Sequence, residues 1–217
     1  MKNSELYLTN NSIAIELIRK YEYPYMILKY IKDYIVELGS TLSNDYEKRD
    51  ENIWIHKSAK ISQTANITGP VIIDAEADIR QCAFIRGSVI IGKNCVVGNS
   101  CELKNAILFD NVQVPHFNYV GDSILGYKSH MGCGSITSNV KSDKTNVVMK
   151  TANGSVETGL KKVGAFLGDY VEIGCNSVLN PGTTIGPNSN VYPLTSVRGE
   201  IPANSIVKAM DNIVEKY

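Results

Sequence analysis

The sequence carries no excess of either charge: twenty-two basic residues face twenty-two acidic ones over 217 positions. That balance gives no electrostatic footprint for nucleic acid or for an anionic membrane surface. There is no run approaching eighteen apolar residues, and no basic stretch leading into an apolar one at the start. Neither a spanning helix nor a secretory leader is expected, and the chain reads as a soluble, cytoplasmic protein. The five cysteines, Cys82, Cys95, Cys101, Cys133 and Cys175, are odd in number and never spaced as CxxC. A disulfide framework and a zinc ribbon are therefore not expected, and buried inert thiols are the simpler reading. Histidine is scarce, with only His56, His116 and His130.

What is present is a repeat. Hydrophobic residues make up 43% of the chain, enough for one packed domain with a small appendage. From Ile55 onward, Ile61, Ile67, Ile73, Ile79, Ile85, Ile91, Val97 and Leu103 follow at strict six-residue intervals. Four residues after each stands a small or aliphatic residue, from Ala59 through Cys101 to Ile107. This is the pattern of a hexapeptide β-helix. Each hexapeptide is a short flat strand and a turn, three make one triangular coil, and stacked coils share a core through parallel ladders. The expected fold is mainly β, a single-stranded left-handed parallel β-helix; the hand comes from the known behaviour of the repeat class.

The register stutters around Pro115-His-Phe-Asn-Tyr-Val-Gly-Asp122. The steps from Leu103 to Leu108 and from Val120 to Leu125 are five residues, and the pattern is lost between Ile136 and Leu167. That interval is polar and too long for a turn, so a protruding loop near 138–165 is expected. The six-residue step resumes at Leu167, and residues 201–217 would close the prism with a last strand and a short tail.

Ahead of the repeats, residues 12–38 read as two amphipathic helices, one opening at Ser12 and one at Pro24, the second stopping at Gly39. Residues 40–52 are polar and aperiodic and read as a linker. The division is a helical arm and linker over 1–51 and a β-helix domain over 52–217. The arm's role is open between a cap or packing arm on the prism and a partner-binding or substrate-gating element.

Glu102-Leu-Lys-Asn, Pro115-His-Phe-Asn-Tyr-Val-Gly-Asp-Ser, Gly132-Cys-Gly-Ser-Ile-Thr-Ser-Asn and Gly168-Asp-Tyr-Val-Glu-Ile-Gly resemble the acetyltransferase domain of the bifunctional sugar-1-phosphate nucleotidylyltransferase and glucosamine-1-phosphate acetyltransferase family. The loop segment Glu157-Thr-Gly-Leu-Lys-Lys-Val-Gly-Ala is most similar to the archaeal and thermophilic members. The resemblance runs from about residue 52 to residue 208. It implies an acetyl-CoA-dependent N-acetyltransferase acting on glucosamine- or galactosamine-1-phosphate, in UDP-amino-sugar biosynthesis, with the cleft between the chains of a homotrimer. His116 would be the general base. Tyr119 and Asn139 would line the sugar and acetyl sites, and Arg86 and Lys104 would hold the sugar phosphate. Lys144 in the loop and Lys208 would meet the phosphates of coenzyme A. His130 departs from the family pattern, where bacterial members carry asparagine, and is a candidate substrate residue whose identity bears on the acceptor sugar. No segment ahead of the repeats resembles the nucleotidylyltransferase domain, so uridylyl transfer is not expected and a separate nucleotidylyltransferase becomes a possible partner.

The chemistry suits the residues. Acetyl transfer to an amine needs a base that titrates near neutrality, a cradle for the oxyanion and alignment of two substrates; histidine serves the first, and cations gripping a phosphate serve the third. The alternative is a non-catalytic sugar-phosphate-binding or assembly protein of the same repeat class. A zinc enzyme of the γ-carbonic anhydrase type would need three histidines, and His56 stands apart at the first repeat, so no metal site is expected.

Overall fold

A computed structural model describes residues 1–152 and 154–216. A strand of two or three residues has too few hydrogen bonds to stand alone, so it forms only where another lies above and below it. The chain solves this by winding as a β-solenoid in which every sixth residue faces inward. On the first face Ile55, Ile73, Ile91, Leu108, Leu125, Leu167 and Ile185 stack rung upon rung. The second face begins with Lys60–Ile61 and Asp78–Ile79, and the third with Asn66–Ile67 and Phe84–Ile85. Nearly all the inward residues are fully buried; Ile61 and Ile67, in the first coil, are only half covered.

The shortened steps take physical form here. Ile91, Leu108 and Leu125 are stacked neighbours seventeen residues apart, where Ile73 and Ile91 are eighteen apart. The missing residue removes a turn. Glu102–Leu108 and Tyr119–Leu125 run unbroken through the corner between the third and first faces, with Asn105 and Asp122 in left-handed conformation at the bend (φ 48° for both). Ile107, the ninth residue of the small-or-aliphatic series, therefore points outward, level with Ile90. The polar insertion leaves after Ile136–Thr137 and returns at Ala165–Leu167, and it carries an antiparallel hairpin, Val148–Thr151 with Gly154–Glu157.

The N-terminal arm is packed along the prism. It contains α1 (Asn3–Leu6), α2 (Ile15–Arg19) and α3 (Ile31–Gly39). The expected second helix forms only in its later half, as α3; its first half is two 3₁₀ turns, Pro24–Met26 and Leu28–Tyr30. The arm runs from the end of the solenoid back to its start. The Met1 amine pairs with Glu200, the Asp169 N–H donates to the Leu6 carbonyl and the Asp110 N–H to that of Asn11, and Gly39 lies against the Trp54 ring.

Beneath the arm, the outward column of the first face reads Trp54, Ile72, Ile90, Ile107, Ile124, Phe166, all buried. On this face Val71–Ile73, Val89–Ile91, Ala106–Leu108 and Ala165–Leu167 are apolar at all three positions, because they are covered on both sides. Each such isoleucine contributes about 1.5–3 kcal/mol by burial, which fixes the arm to this face.

Residues 46–50, expected as linker, form a strand, Tyr46–Asp50, paired antiparallel with Ile53–His56. Its four charged residues are exposed, as suits an edge strand, and the Tyr46 hydroxyl donates to Asp74 (2.5 Å). At the other end Ser205–Ala209 and Asn212–Glu215 close the second face as an antiparallel pair. Among the described residues no helix is long and apolar enough to cross a membrane.

Candidate functional site

With the first face under the arm, the chemistry-bearing residues lie on the other two. The third face carries a connected polar cluster at its shortened corner. Asp122 is its hub and is 4% exposed. Its Oδ1 accepts from Asn105 Nδ2 (2.9 Å), and its Oδ2 accepts from Asn139 Nδ2 (2.6 Å) and Lys104 Nζ (3.4 Å). The same Asn139 nitrogen donates to the Tyr119 hydroxyl (3.1 Å). Burial, and next the Asp122 charge, raise the Tyr119 phenol above its ordinary pKa and keep it protonated.

The backbone explains why these groups meet. Glu102 pairs with Tyr119 and Lys104 with Gly121 in adjacent rungs, while Asn139 stands where the chain leaves the next rung. Tyr119 lies down over Gly121: a Cβ there would fall 2.4 Å from the phenol oxygen. Arg86, one rung earlier, is half exposed and ion-paired with Glu102 (2.6 Å). That carboxylate raises the guanidinium pKa further. Arg86 and Lys104 thus present two cations on one column, each already steered by a carboxylate.

His116 stands at the corner where the second face turns into the third, exposed, beside Asn99. Its position is fixed from inside the prism. The buried Asn118 accepts the His116 N–H at Oδ1 (3.1 Å), and its Nδ2 donates to the carbonyls of Gly132 (2.8 Å) and Ser135 (3.0 Å) on the next coil. Phe117 between them takes the left-handed conformation (φ 52°) and is 59% exposed. Cys133 and Cys175 follow His116 up the same column, both exposed. Of the other three cysteines, Cys82 is exposed while Cys95 and Cys101 are buried, and burial pushes both buried thiols above their ordinary pKa.

Of the expected site residues, the structure gathers Arg86, Lys104, Tyr119 and Asn139, and sets His116 at the neighbouring corner. It does not bring His130 to them. His130 lies in the middle of the second face, where its Nδ1 meets Glu172 Oε2 (2.9 Å). There it borders a groove of about 470 Å³ floored by Gly132 and Gly174 and reaching Cys175 and Tyr192. The glycines are required, since a Cβ on either would fall within 2.7 Å of the next coil's backbone. Lys208 projects from the last rung of this face, exposed. Lys144 sits in an exposed turn of the loop, apart from the cluster. Sequence reasoning missed Asp122 as the hub, although the Gly-Asp pair after Tyr119 was its signal. It also missed Asn105, Asn118 and Glu172, which nothing in the repeat distinguishes from ordinary corner and surface residues.

Comparison with known proteins completes the description. Residues 67–191 match the family described as the GMPPB C-terminal domain. The chain is 34% identical over 175 residues to a bifunctional protein GlmU of Methanococcus maripaludis, covering 72% of this chain and 42% of that one. It is 27% identical over 222 residues to a bifunctional sugar-1-phosphate nucleotidylyltransferase/acetyltransferase of Sulfurisphaera tokodaii, covering 92% and 54%. The chain therefore spans about half the length of these relatives, or less. Among solved structures, the acetyltransferase domain of PglB from Neisseria gonorrhoeae in complex with acetyl coenzyme A is 15% identical, with a TM-score of 0.38, over 88% of this chain and 66% of that one.

Proposed function

The chain belongs to the GMPPB C-terminal domain family, and from the polar cluster on its third face we propose that it transfers an acetyl group from acetyl-CoA to the amine of a hexosamine 1-phosphate. The observation that carries the reading is the joined set Lys104–Asp122–Asn139–Tyr119, flanked by Arg86 and one corner from an exposed histidine. The cations suit a phosphomonoester, and a protonated phenol with a fixed carboxamide suits sugar hydroxyls. The name of the Sulfurisphaera tokodaii relative, which joins sugar-1-phosphate nucleotidylyl transfer to acetyl transfer, supports the same substrate class.

In this reading Arg86 and Lys104 grip the phosphate, and Tyr119 and Asn139 orient the ring. The amine is held toward the corner that carries His116. The amine lone pair attacks the thioester carbonyl carbon, the carbon–sulfur bond breaks, and coenzyme A leaves as its thiolate. The proton shed by the nitrogen passes to the His116 imidazole and from there to the thiolate. The groove on the second face, on the other side of the same corner, offers room for the acyl arm of the co-substrate, with Lys208 further along that face as a cation for its phosphates. A helical arm over 1–51, ending in the edge strand Tyr46–Asp50 that replaces the expected linker, and a β-helix over 52–217 are proposed as the working division, with the helices as a packing element.

The test is thiol release from acetyl-CoA with glucosamine-1-phosphate and with galactosamine-1-phosphate. Turnover is expected on at least one, falling ~10²-fold or more in His116→Ala. Full activity in that variant overturns the base assignment. No turnover on either sugar overturns the reaction and leaves a non-catalytic sugar-phosphate-binding protein.

A further inference from the structure

The loop over 138–164 does more than protrude. Its hairpin folds back over the later coils of the third face and encloses a second pocket of about 480 Å³. Two close approaches seat the hairpin. Gly182 has φ 79°, and a Cβ there would meet Met149 and Val147 at 3.0 and 3.1 Å; Gly199 has φ 83°, with the Lys150 Cβ 3.6 Å from where its own would stand. Lys150 on the hairpin is thereby set beside Arg198 on the solenoid, and Lys141 enters from the loop.

The charges do not cancel. Asp143, also in the wall, is already engaged: its Oδ1 accepts from the Thr145 N–H (2.9 Å) and hydroxyl (2.8 Å), and its Oδ2 lies 3.2 Å from Lys141 Nζ. Those contacts, the Thr145 N–H foremost, hold its carboxyl down to about 2. Among the described residues neither Lys150 nor Arg198 has an ion-pair partner. Ser138 and Asn180 supply neutral polar groups on the floor.

This pocket is not the Lys104 cluster. Lys104, Gly121, Ser138, Asn180 and Arg198 occupy one outward column, each a rung beyond the last. Four rungs at ~4.8 Å put the Arg198 and Lys104 backbones about 19 Å apart, too far for one phosphate to bridge. We propose that the pocket beneath the hairpin is a second anion site, built to take the diphosphate group of a small molecule between Arg198, Lys150 and Lys141. Paired uncompensated cations over a polar floor match a group with adjacent negative phosphates, because guanidinium binds two oxygens at once and ammonium serves as a point charge.

The probe is inorganic pyrophosphate, titrated calorimetrically into the full chain. Arg86→Gln/Lys104→Gln is used as the background, so that the first cluster contributes nothing. Binding is expected there, weakened tenfold or more when Arg198→Gln and Lys150→Gln are added. Both side chains are exposed, and unchanged melting temperatures verify that the variants fold. Absence of binding in the Arg86→Gln/Lys104→Gln background, or binding indifferent to Arg198→Gln and Lys150→Gln, overturns the site. Competition then names the source of the diphosphate. Displacement by coenzyme A but not by UDP assigns it to the co-substrate, and displacement by UDP assigns it to a free nucleotide; either supports the site. Because the readout is binding, the site can fail while acetyl transfer stands, and the reverse.

Discussion

Replacing Asp122 by alanine removes a carboxylate that holds three donors, from Lys104, Asn105 and Asn139, inside a site nearly closed to water. Breaking a buried charged pair by deleting one partner costs about 3–5 kcal/mol. Here the Lys104 side chain is 27% exposed, so water compensates part of its loss and the lower end applies. For a chain of this size each kcal/mol moves the melting temperature by about 2–4 °C, so ~3 kcal/mol becomes a drop of about 6–12 °C. Asp122→Asn keeps the shape and one acceptor oxygen, which can still serve Asn139 and Lys104 but leaves the Asn105 donor facing an amide nitrogen, and it should lower the melting temperature less than the alanine does. Both variants release Asn139 and Tyr119 from a fixed geometry, so the KM for the sugar phosphate should rise more than kcat falls. The assays are thermal melts followed by circular dichroism, and initial rates across sugar-phosphate concentration. An Asp122→Ala protein melting within about 1 °C of the parent would refute the hub, since the bonds drawn to it would then be carrying no energy.

Other expectations follow from the same geometry. Gly121→Ala should displace the Tyr119 phenol, through the 2.4 Å conflict with its oxygen, and raise KM without unfolding the prism; an unchanged KM counts against Tyr119 as a substrate contact. Phe166→Ala, beneath the arm, should cost about 3–5 kcal/mol and make residues 1–39 sensitive to protease, whereas an intact arm would place its anchorage elsewhere. An aromatic disulfide reagent should titrate three thiols in the native protein, Cys82, Cys133 and Cys175, and all five once unfolded; labelling confined to Cys133 and Cys175 should block turnover, because they adjoin His116. Burial holds the Asp110 and Asp169 carboxyls above the usual 3.8. The folded chain therefore keeps those protons to higher pH than the unfolded one. Their contribution is full below 3.8 and is lost as pH rises through the folded values, so Asp110→Asn/Asp169→Asn should flatten the melting profile in that acid range.

The solenoid was legible because its cause is local: a flat strand with one inward aliphatic residue every six positions must be written into the sequence. The two five-residue steps were equally legible, and they mark where the third and first faces join through unbroken strands. That the arm packs on the prism was one of the two readings left open; the face that takes it left a trace in the sequence. Val71-Ile-Ile73, Val89-Ile-Ile91, Ala106-Ile-Leu108 and Ala165-Phe-Leu167 are apolar at all three positions, where a face open to water needs a polar middle residue. The strand at Tyr46–Asp50 was invisible because an edge strand with charged side chains looks like a loop. The site was half legible. Lys104, Tyr119 and Asn139 meet through a fold in which residues seventeen or eighteen apart are neighbours. His130, the candidate substrate residue that departs from the family pattern, belongs by register to the second face, and its partner Glu172 is forty-two residues away. That pairing depends on the length of the insertion, which no motif near His130 reports.

The arm also restricts how copies of the chain can meet. A triangular prism has three sides, and here one is occupied along its length, from Glu200 to Trp54. A second copy can approach only the second and third faces, and those are the two that share the His116 corner, with the glycine-floored groove on one side and the Lys104–Asp122 cluster on the other. Set the second face of one copy against the third face of the next, and each corner becomes a cleft with both walls supplied. Repeated about one axis, such a contact closes into a ring with one cleft per copy, and three copies is the number we propose from the family resemblance. Light scattering should then return three times the 23.8 kDa of one chain. Rates per chain should fall on dilution as the ring dissociates, and a bulky charge at the exposed Leu194 on the same edge, as Leu194→Glu, should lower mass and turnover together. A monomer with undiminished turnover would show that one chain completes the site alone, and the groove and the cluster would have to serve a single open corner.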